Sequence, residues 1–339
     1  AVAEDASIDG NVSGTDLDAG EAATLTYALV DPGSAPAGLT FNANGSYSFD
    51  ASSYDSLVAG EELVLDVAFT ASDASSTSAP ANLTITITGT NDVPVATAAV
   101  NAVAEDASID GNVSGTDLDA GETATLTYAL VDPGSAPAGL TFNGDGSYSF
   151  DASSYDSLVA GEELELNVAF TASDASSTSA PANLTITITG TNDTASISGT
   201  TAGSVSEDGT LIASGSLSVS DADAGQSEFQ PLAGSSSYGT YSITAAGAWV
   251  YTLDNTNAAV QGLNTGATLT DSFVVTSEDG TDSETVTITI NGLNEPVVNN
   301  APTDITLVAA LPTSNTNLSL AGGVVGTLVT TDVNAGDTF

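Results

Sequence analysis

Large apolar residues alternate with polar or small residues in several short stretches of the chain. In the stretch 63–69 every second residue is large and apolar, and these residues are Leu63, Leu65, Val67 and Phe69. The same period of two recurs in 24–30 and 83–88. Because successive side chains of a β-strand point to opposite faces, the pattern predicts half-buried strands, each with one apolar side.

Turn-forming residues separate these stretches. They occur at 31–33 (Asp-Pro-Gly), 42–45 (Asn-Ala-Asn-Gly), 58–60 and 75–80. Gly, Pro, Asn and Asp favour the backbone angles that tight turns need, and Asn-Gly is a hairpin signal. No stretch has the period of an amphipathic helix. Short alternating strands in units of about 100 residues predict an all-β chain of immunoglobulin-like β-sandwich domains.

The chain repeats itself. The sequence that starts at Ala1 returns almost unchanged from Ala102, a period of 101 residues. Residues 1–92 and 102–193 differ at five positions, which pair Ala22 with Thr123, Ala43 with Gly144, Asn44 with Asp145, Val64 with Glu165, and Asp66 with Asn167. A third, diverged unit shares their landmarks. We therefore predict a first repeat at 1–98, a second at 99–193, a third at 194–298 and an incomplete fourth at 299–339.

The charge of the chain is one-sided. It has 339 residues, with 44 Asp and Glu and no Lys, Arg or His, so the formal net charge is -44. Two carboxylates about 4 Å apart repel by about 4 kcal/mol at an effective dielectric constant of ~20, so clustered acids need cations from solution. Nucleic acids and anionic membrane surfaces are bound through Lys and Arg, which excludes both as partners.

The residue inventory also limits the metals that the chain can bind. Without Cys and His, the ligands that remain are carboxylate, amide and backbone oxygens, which suit calcium. No stretch approaches the ~18 consecutive apolar residues that predict membrane insertion. The chain lacks an initiator Met and a signal peptide, so we expect it to be an interior piece of a longer protein.

Family resemblances follow from particular motifs. The third repeat, with its segments 238–241 (Tyr-Gly-Thr-Tyr), 247–253 (Gly-Ala-Trp-Val-Tyr-Thr-Leu) and 271–273 (Asp-Ser-Phe), resembles the VCBS repeats of giant bacterial adhesins. The other repeats resemble bacterial cadherin-like domains in their Glu-Asp opening, Asp-x-Asp-Ala-Gly loop and Gly-Thr-Asn-Asp ending. Together these resemblances cover essentially the whole chain. They imply an RTX-type adhesin, secreted by a type I system, extracellular or displayed on a Gram-negative surface, with roles in attachment and biofilm.

The cadherin-like resemblance also implies calcium at the domain junctions. Carried over residue by residue, the first site would use Glu4, Asn91, Asp92, Asp117 and Asp119. The second would use Glu105, Asn192, Asp193, Asp221 and Asp223. The third would use Glu207, Asn294, Glu295 and Asp332, where Glu295 replaces the family's Asp and Asn334 replaces the second Asp of the loop. No single loop offers the 6–8 oxygens that calcium takes, but three converging loops can.

Other interpretations of the same residues stay open. An Asp in a loop is most often a turn former or a solvated group. Six aromatic residues of the first repeat are either core residues or a carbohydrate-binding strip; these are Tyr27, Phe41, Tyr47, Phe49, Tyr54 and Phe69. Catalysis by a Ser or Thr nucleophile usually needs a His or Lys base, and small sandwiches offer no deep cleft for a glycosidase, so we expect no enzyme.

Two hypotheses for the function result. The first is a structural stalk or filament segment of a large adhesin, stiffened by calcium between its domains. The second is an extracellular module that binds carbohydrate or self-associates into fibres. A binding surface should differ between repeats, whereas the first two repeats hardly differ, which favours the stalk.

Overall fold

A computed structural model describes residues 1–17 and 24–295, together with the backbone of two strands at 304–309 and 326–331. The described residues form β-sandwiches in tandem, so the predicted fold class is confirmed. Residue contacts divide the chain into two compact units. One comprises residues 1–193 and 222–225, and the other comprises 194–221 and 226–339.

The first repeat contains seven strands among its described residues. They are β1 (Val2–Ala3), β2 (Ser7–Asn11), β3 (Thr26–Leu29), β4 (Leu39–Phe41), β5 (Ser46–Asp50), β6 (Glu62–Ser72) and β7 (Ala81–Thr88). One sheet has the order β1-β7-β6-β3, and the facing sheet has the order β2-β5-β4. Strands β6 and β7 are antiparallel, whereas the short β1 runs parallel to β7. Short 3-10 helices lie at Pro32–Ser34 and Ser52–Tyr54.

The second repeat has the same two sheets and one additional pair of strands. Its strands are β8 (Val95–Thr97), β9 (Ala99–Ala104), β10 (Ser108–Asn112), β11 (Ser114–Thr116), β12 (Thr127–Leu130), β13 (Leu140–Phe142), β14 (Ser147–Asp151), β15 (Glu163–Ser173) and β16 (Ala182–Thr189). The sheets have the orders β12-β15-β16-β9 and β10-β14-β13. Strand β8 lies before residue 99, the predicted start of the second repeat, and it pairs with β11 of that repeat. The 3-10 helices are Glu122–Thr125, Pro133–Ser135 and Ser153–Tyr155.

The third repeat pairs its strands in one sheet of five strands and one sheet of three. Its elements are β17 (Ser196–Gly199), β18 (Ala202–Ser206), β19 (Ile212–Ser220), β20 (Leu232–Ser235), β21 (Gly239–Ile243), β22 (Ala248–Leu253), α1 (Ala258–Gln261), β23 (Thr268–Thr276) and β24 (Ser283–Asn291). The sheet orders are β17-β19-β22-β21-β20 and β18-β24-β23. Further along, β25 (Asp304–Ala309) and β26 (Gly326–Thr331) form an antiparallel pair.

The apolar face of each strand forms the core between the two sheets. In the first repeat Phe49 and Ile87 are fully buried, whereas Val64 on the opposite face of β6 is 53% exposed. Tyr27, Phe49 and Phe69 belong to this core, and Phe41, Tyr47 and Tyr54 pack against it. The six aromatic residues therefore do not form an exposed strip. In the third repeat the single Trp249 is fully buried, and its indole N–H donates to the Thr200 carbonyl oxygen at 2.9 Å.

The third repeat also buries a carboxylate. Asp271 on β23 is 5% exposed. One of its oxygens accepts from Ser236 Oγ at 2.6 Å, from the Tyr238 backbone N–H at 2.9 Å and from the Tyr251 hydroxyl at 2.8 Å. Burial acts to raise the pKa of Asp271, but these hydrogen bonds outweigh burial and lower it. The charged side chain thus ties the 236–238 turn to the core of the sandwich.

Candidate metal centres

Three segments bring their acidic side chains together next to the first repeat. Glu4 directly follows β1, Asp92 lies in the segment after β7, and Asp119 lies in the loop after β11. One oxygen from each carboxylate lies within 4.8 Å of the others, and we call these three residues the first cluster. Glu4 is fully buried and Asp119 is 2% exposed. Two carboxylates are therefore taken out of water beside a third.

Each carboxylate of the first cluster has one oxygen that accepts no hydrogen bond. The Thr90 backbone N–H donates to Glu4 Oε1 at 2.6 Å, and the Asp92 N–H donates to Asp119 Oδ2 at 3.0 Å. The second oxygens, Glu4 Oε2 and Asp119 Oδ1, are buried without a donor, and so is Asp92 Oδ2. A buried charged oxygen without a partner is costly, so these three acids form a group that could hold a cation.

An adjoining cluster shares Asp119 with the first. It consists of Asp117, Asp119 and Glu122, with carboxylate oxygens again within 4.8 Å. The Asp119 backbone N–H donates to Asp117 Oδ1 at 2.9 Å, which leaves Asp117 Oδ2 buried without a donor. Glu122 Oε2 is likewise buried without a hydrogen-bond donor. Asp119 thus belongs to both acidic groups.

Burial and the neighbouring acids raise the pKa of Asp92 in the first cluster. Burial, followed by the charges of Asp5, Asp119, Glu4 and Asp55, raises the pKa of Asp92 to about 6. Both effects disfavour the charged form. A bound divalent cation would favour the charged form and so act against both effects.

Glu122 shows the same behaviour in the adjoining cluster. Burial and then the charges of Asp119, Asp174 and Asp117 raise the pKa of Glu122. Asp55, which contributes to the raised pKa of Asp92, has its own Oδ1 buried without a donor. The acidic character of the site therefore extends beyond the residues that the sequence analysis selected.

Asn91 lies beside these acids with its amide turned to the second repeat. Its Nδ2 donates to Asp174 Oδ2 at 3.1 Å and to Ser177 Oγ at 3.2 Å, and also to the Asp92 carbonyl oxygen. Burial alone would raise the pKa of Asp174, but hydrogen bonds from Ser177, Ser176 and Asn91 lower it to about 2. Asp174 therefore keeps its charge under all ordinary conditions.

A second cluster repeats the arrangement of the first. Its residues are Glu105, Asp193 and Asp223, which all belong to the same compact unit. Glu105 is fully buried, and its Oε1 accepts from the Thr191 backbone N–H at 2.6 Å. The Asp193 N–H donates to Asp223 Oδ2 at 3.0 Å, and Asp193 Oδ2 is buried without a donor.

The remaining predicted residues of the second site lie as follows. Burial, followed by the charges of Asp106, Asp223, Glu105 and Asp156, raises the pKa of Asp193. Asn192 uses its Nδ2 to donate to the Asp193 carbonyl oxygen at 2.6 Å. Asp221 starts the loop that carries Asp223, and its backbone N–H donates to Ser227 Oγ at 3.2 Å.

The predicted third site is described only in part. Glu207 is fully buried, accepts from the Leu293 backbone N–H and has Oε2 buried without a donor. Asn294 Oδ1 accepts from the Thr265 backbone N–H at 3.0 Å. Within the described residues, no group of three acids includes Glu207 or Glu295. Asp332 lies outside the described residues.

The chemistry of the first cluster fits calcium. Calcium takes 6–8 oxygens at about 2.3–2.6 Å, so two oxygens on opposite sides of one ion lie about 4.8 Å apart. The clustered oxygens lie within that distance of one another. The available metal ligands are all oxygens, and the chain has no basic side chain. Several buried carboxylate oxygens also have no hydrogen-bond donor. A hard divalent cation satisfies all three conditions.

Four acids near the first cluster are not among the ligands predicted from the sequence: Asp5, Asp55, Glu122 and Asp174. Asp5 directly follows Glu4 in the chain. Glu122 follows directly on the Asp-x-Asp-Ala-Gly loop, so an acid at that position was a usable signal. Asp55 and Asp174 lie in other loops of the two repeats. No local pattern sets them apart from the many acids that form ordinary turns.

Comparison with known families agrees with the two-sheet architecture. Residues 192–292 match the bacterial cadherin-like domain, and residues 91–187 match the bacterial Ig domain. The chain carries cadherin-like and Ig-like domains in tandem. The cadherin-like match falls on the third repeat, whose motifs resemble VCBS repeats, and the Ig match falls on the second. No curated protein sequence matches the chain.

The solved structures to which this chain is similar include cadherins. The extracellular domain of protocadherin gamma-B4 is 14% identical with a TM-score of 0.48, covering 98% of this chain and 53% of that chain. Mouse cadherin-23 EC22–24 is 18% identical with a TM-score of 0.43, covering 84% and 93%. Mouse protocadherin-24 EC1–3 is 18% identical with a TM-score of 0.41, covering 86% and 95%. This chain thus spans about half of the protocadherin gamma-B4 structure, and at these identities the likeness concerns the fold alone.

Proposed function

We propose that this chain is a structural segment of a large extracellular bacterial adhesin, a stalk whose successive β-sandwiches are held rigid by calcium. The observation that supports it best is the first cluster, in which buried carboxylate oxygens from two repeats and the segment between them converge without any hydrogen-bond donor. Calcium would provide the missing positive charge there and would link the segments that carry its ligands.

Two further contacts bring the same parts of the chain together at the first cluster. The Ala120 backbone N–H donates to the Ser56 carbonyl oxygen at 3.1 Å, which joins the second repeat's loop to the first repeat. Strand β8, just after Asp92, pairs with β11, which leads into the same loop. Calcium bound by acids of the same segments would add to these contacts and stiffen the junction further.

The cadherin-like and Ig-like domains support an adhesive role outside the cell, because such domains usually act as extracellular adhesion or spacer modules. No helix among the described residues is long and apolar enough to cross a membrane. The VCBS-like motifs extend the proposal to secretion by a type I system and to attachment and biofilm formation on a Gram-negative surface. Self-association into fibres is compatible with this role, while the bound surface or host ligand stays unassigned.

The proposal is tested with the full chain after removal of divalent cations by a chelator. Calcium titration by calorimetry should show binding, thermal melting should shift upwards, and small-angle scattering should show a longer, more uniform particle. Asp119→Asn, which changes a residue shared by the first and adjoining clusters, should lose the part of these effects that these two clusters cause and leave the part due to the second cluster. Asp110→Asn, an exposed acid on β10, is the matched control.

Two outcomes would overturn the proposal. One is a chain that binds no calcium when sodium chloride at equal ionic strength is the reference. The other is calcium binding with no change in melting temperature or particle length, since rigidity would then have another origin. A control with sodium chloride is needed because any salt screens the repulsion between so many acids.

A further inference from the structure

One hydroxyl group closes the acidic loop of the second repeat. Thr123 Oγ1 accepts a hydrogen bond from the Asp117 backbone N–H at 2.8 Å and donates one to the Asp117 carbonyl oxygen at 3.1 Å. Both backbone polar groups of Asp117 are thereby fixed by one side chain six residues later. The loop between them carries the acids of the adjoining cluster.

The same closure occurs in the third repeat with a different residue. Ser227 Oγ accepts from the Asp221 backbone N–H at 3.2 Å and donates to the Asp221 carbonyl oxygen at 3.3 Å. The sequences of these two repeats have diverged widely, and their loops still share a hydroxyl at this position. A β-hydroxyl, rather than the side chain of Thr as a whole, is therefore the common feature.

The first repeat provides the natural contrast. Its equivalent residue is Ala22, which carries no hydroxyl, and this is one of the five positions at which the first two repeats differ. The loop around Ala22 lies outside the described residues. The described first repeat nevertheless has the same core and sheets as the second, so alanine at this position is compatible with the fold.

We propose that Thr123 is a positioning residue for calcium: its hydroxyl fixes the backbone at Asp117 so that the carboxylates of Asp117 and Asp119 are presented together. Ser227 does the same for the loop of the third repeat. The inference rests on the proposed function, because positioning has no purpose if no cation binds. Thr123 and Ser227 would then influence calcium binding without being ligands of the ion.

A chain of contacts leads from the hydroxyl to the first cluster. With Asp117 fixed, its Oδ1 accepts from the Asp119 N–H at 2.9 Å, and Asp119 Oδ2 in turn accepts from the Asp92 N–H at 3.0 Å. Each step leaves one carboxylate oxygen uncommitted. Because Thr123 is neutral, it orders the loop without adding to the repulsion between the acids. Ordering a site before the ion arrives reduces the entropy lost on binding.

The test measures calcium affinity in the full chain, with the second cluster disabled by Glu105→Gln and Asp193→Asn so that the first and adjoining clusters dominate. Thr123→Ala should weaken binding about tenfold, equivalent to about 1.4 kcal/mol. Thr123→Ser, which keeps the hydroxyl, should stay within about twofold of the parent. Thr141→Ala, at an exposed position on β13, is the matched control.

The outcomes separate this inference from the function on which it rests. If the parent binds calcium and Thr123→Ala binds equally well, the positioning role is refuted. If Ala and Ser weaken binding to the same extent, the hydroxyl is not the cause, and the inference fails as well. If the parent binds no calcium at all, the proposed function is refuted, and the inference that rests on it is refuted with it. Melting in chelator should be similar for parent and Thr123→Ala, because the hydroxyl acts on the loop and not on the core.

Discussion

Neutralising Glu4 should have opposite effects on stability with and without calcium. Glu4→Gln keeps an oxygen to accept from the Thr90 N–H, and it replaces the buried, donor-free Oε2 by an amide. In the calcium-free protein this removes one of three clustered negative charges, so the variant should be more stable than the parent. In calcium the variant lacks a ligand charge and should be less stable than the parent.

The size of each effect follows from the geometry. Two unit charges 4.8 Å apart repel by about 3.5 kcal/mol at an effective dielectric constant of ~20. Asp92 is partly exposed, so solvent screening reduces the gain, and we expect Glu4→Gln to stabilise the calcium-free protein by about 1–2 kcal/mol. Calcium at about 100 times its dissociation constant stabilises the parent by about 2.7 kcal/mol, and a variant that no longer binds loses this amount.

Thermal melting in chelator and in calcium measures both effects. One kcal/mol corresponds to about 4–8 °C in melting temperature for a domain of about 60–100 residues. The melting temperature of Glu4→Gln should therefore lie clearly above that of the parent in chelator and clearly below it in calcium. Glu163→Gln, at an exposed position on β15, is the control and should change neither condition by more than about 0.5 kcal/mol. If Glu4→Gln lowers the melting temperature equally in both conditions, Glu4 is a structural residue and the repulsion argument is wrong.

Three further predictions concern the pKa of Asp92, the buried Asp271 and two glycines of the second repeat. Because the pKa of Asp92 is raised to about 6 without calcium, protons compete with calcium below that pH, and affinity should fall about tenfold from pH 7 to pH 5. Calorimetry at the two pH values checks this, and equal affinities would contradict it. Asp271→Asn should destabilise the third repeat by about 3 kcal/mol in denaturant melts at pH 7, because an amide offers fewer acceptors to its donors. Since the pKa of Asp271 is lowered on folding, its contribution is present above pH ~4 and is lost as the pH falls through the lowered pKa, so the stability difference between variant and parent should narrow below pH ~4. Gly139→Ala would place a Cβ 1.9 Å from the Asp151 carbonyl oxygen at φ +84°, and it should cost more than about 3 kcal/mol. Gly161→Ala has φ +81° but open space, so it should cost only about 1 kcal/mol, and similar losses in melting experiments would refute the steric account.

The long central strands could be predicted because their apolar pattern is strict. Leu63, Leu65 and Val67 of β6 pair with Ile87, Ile85 and Leu83 of β7, so the apolar residues of both strands meet on the same face. A shift of one residue would turn all of them towards water, which fixes the register from the sequence alone. The buried Phe49 and Phe69 follow from the same alternation.

The parallel pairing of β1 with β7 could not be predicted in this way. Val2 pairs with Ile87, 85 residues later in the chain, and no turn connects the two strands. β1 has only two residues, too few to show a period. The place of β8 was missed for a related reason, since Val95 is 62% exposed and the strand carries little apolar signal.

The acidic loops could be predicted from their motifs, but the orientation of single side chains could not. Asp-x-Asp and Asn-Asp indicated which segments carry the acids, and the structure brings Glu4, Asp92 and Asp119 together. It directs the amide of Asn91 towards Asp174 instead, because that carboxylate is held in place by Ser177. Such orientations depend on contacts between loops that are far apart in sequence, and a pattern within one loop does not contain them.

The first cluster lies where the first two repeats meet, so a cation bound there would affect the rigidity of the proposed stalk. Its acids come from the first repeat, from the segment that leaves it and from the loop of the second repeat, so no repeat alone holds a complete set. A cation bound there would contact all three acids only when both repeats are in place. Its binding free energy would therefore act directly against bending at that junction. The chain has 44 acids and no basic residue. Without the cation, the clustered carboxylates would repel one another and oppose packing at the junction. With the cation, each carboxylate would be attracted to the ion, and this attraction would hold the junction together. Calcium concentration, rather than the sequence of each sandwich, would then set how rigid the segment is.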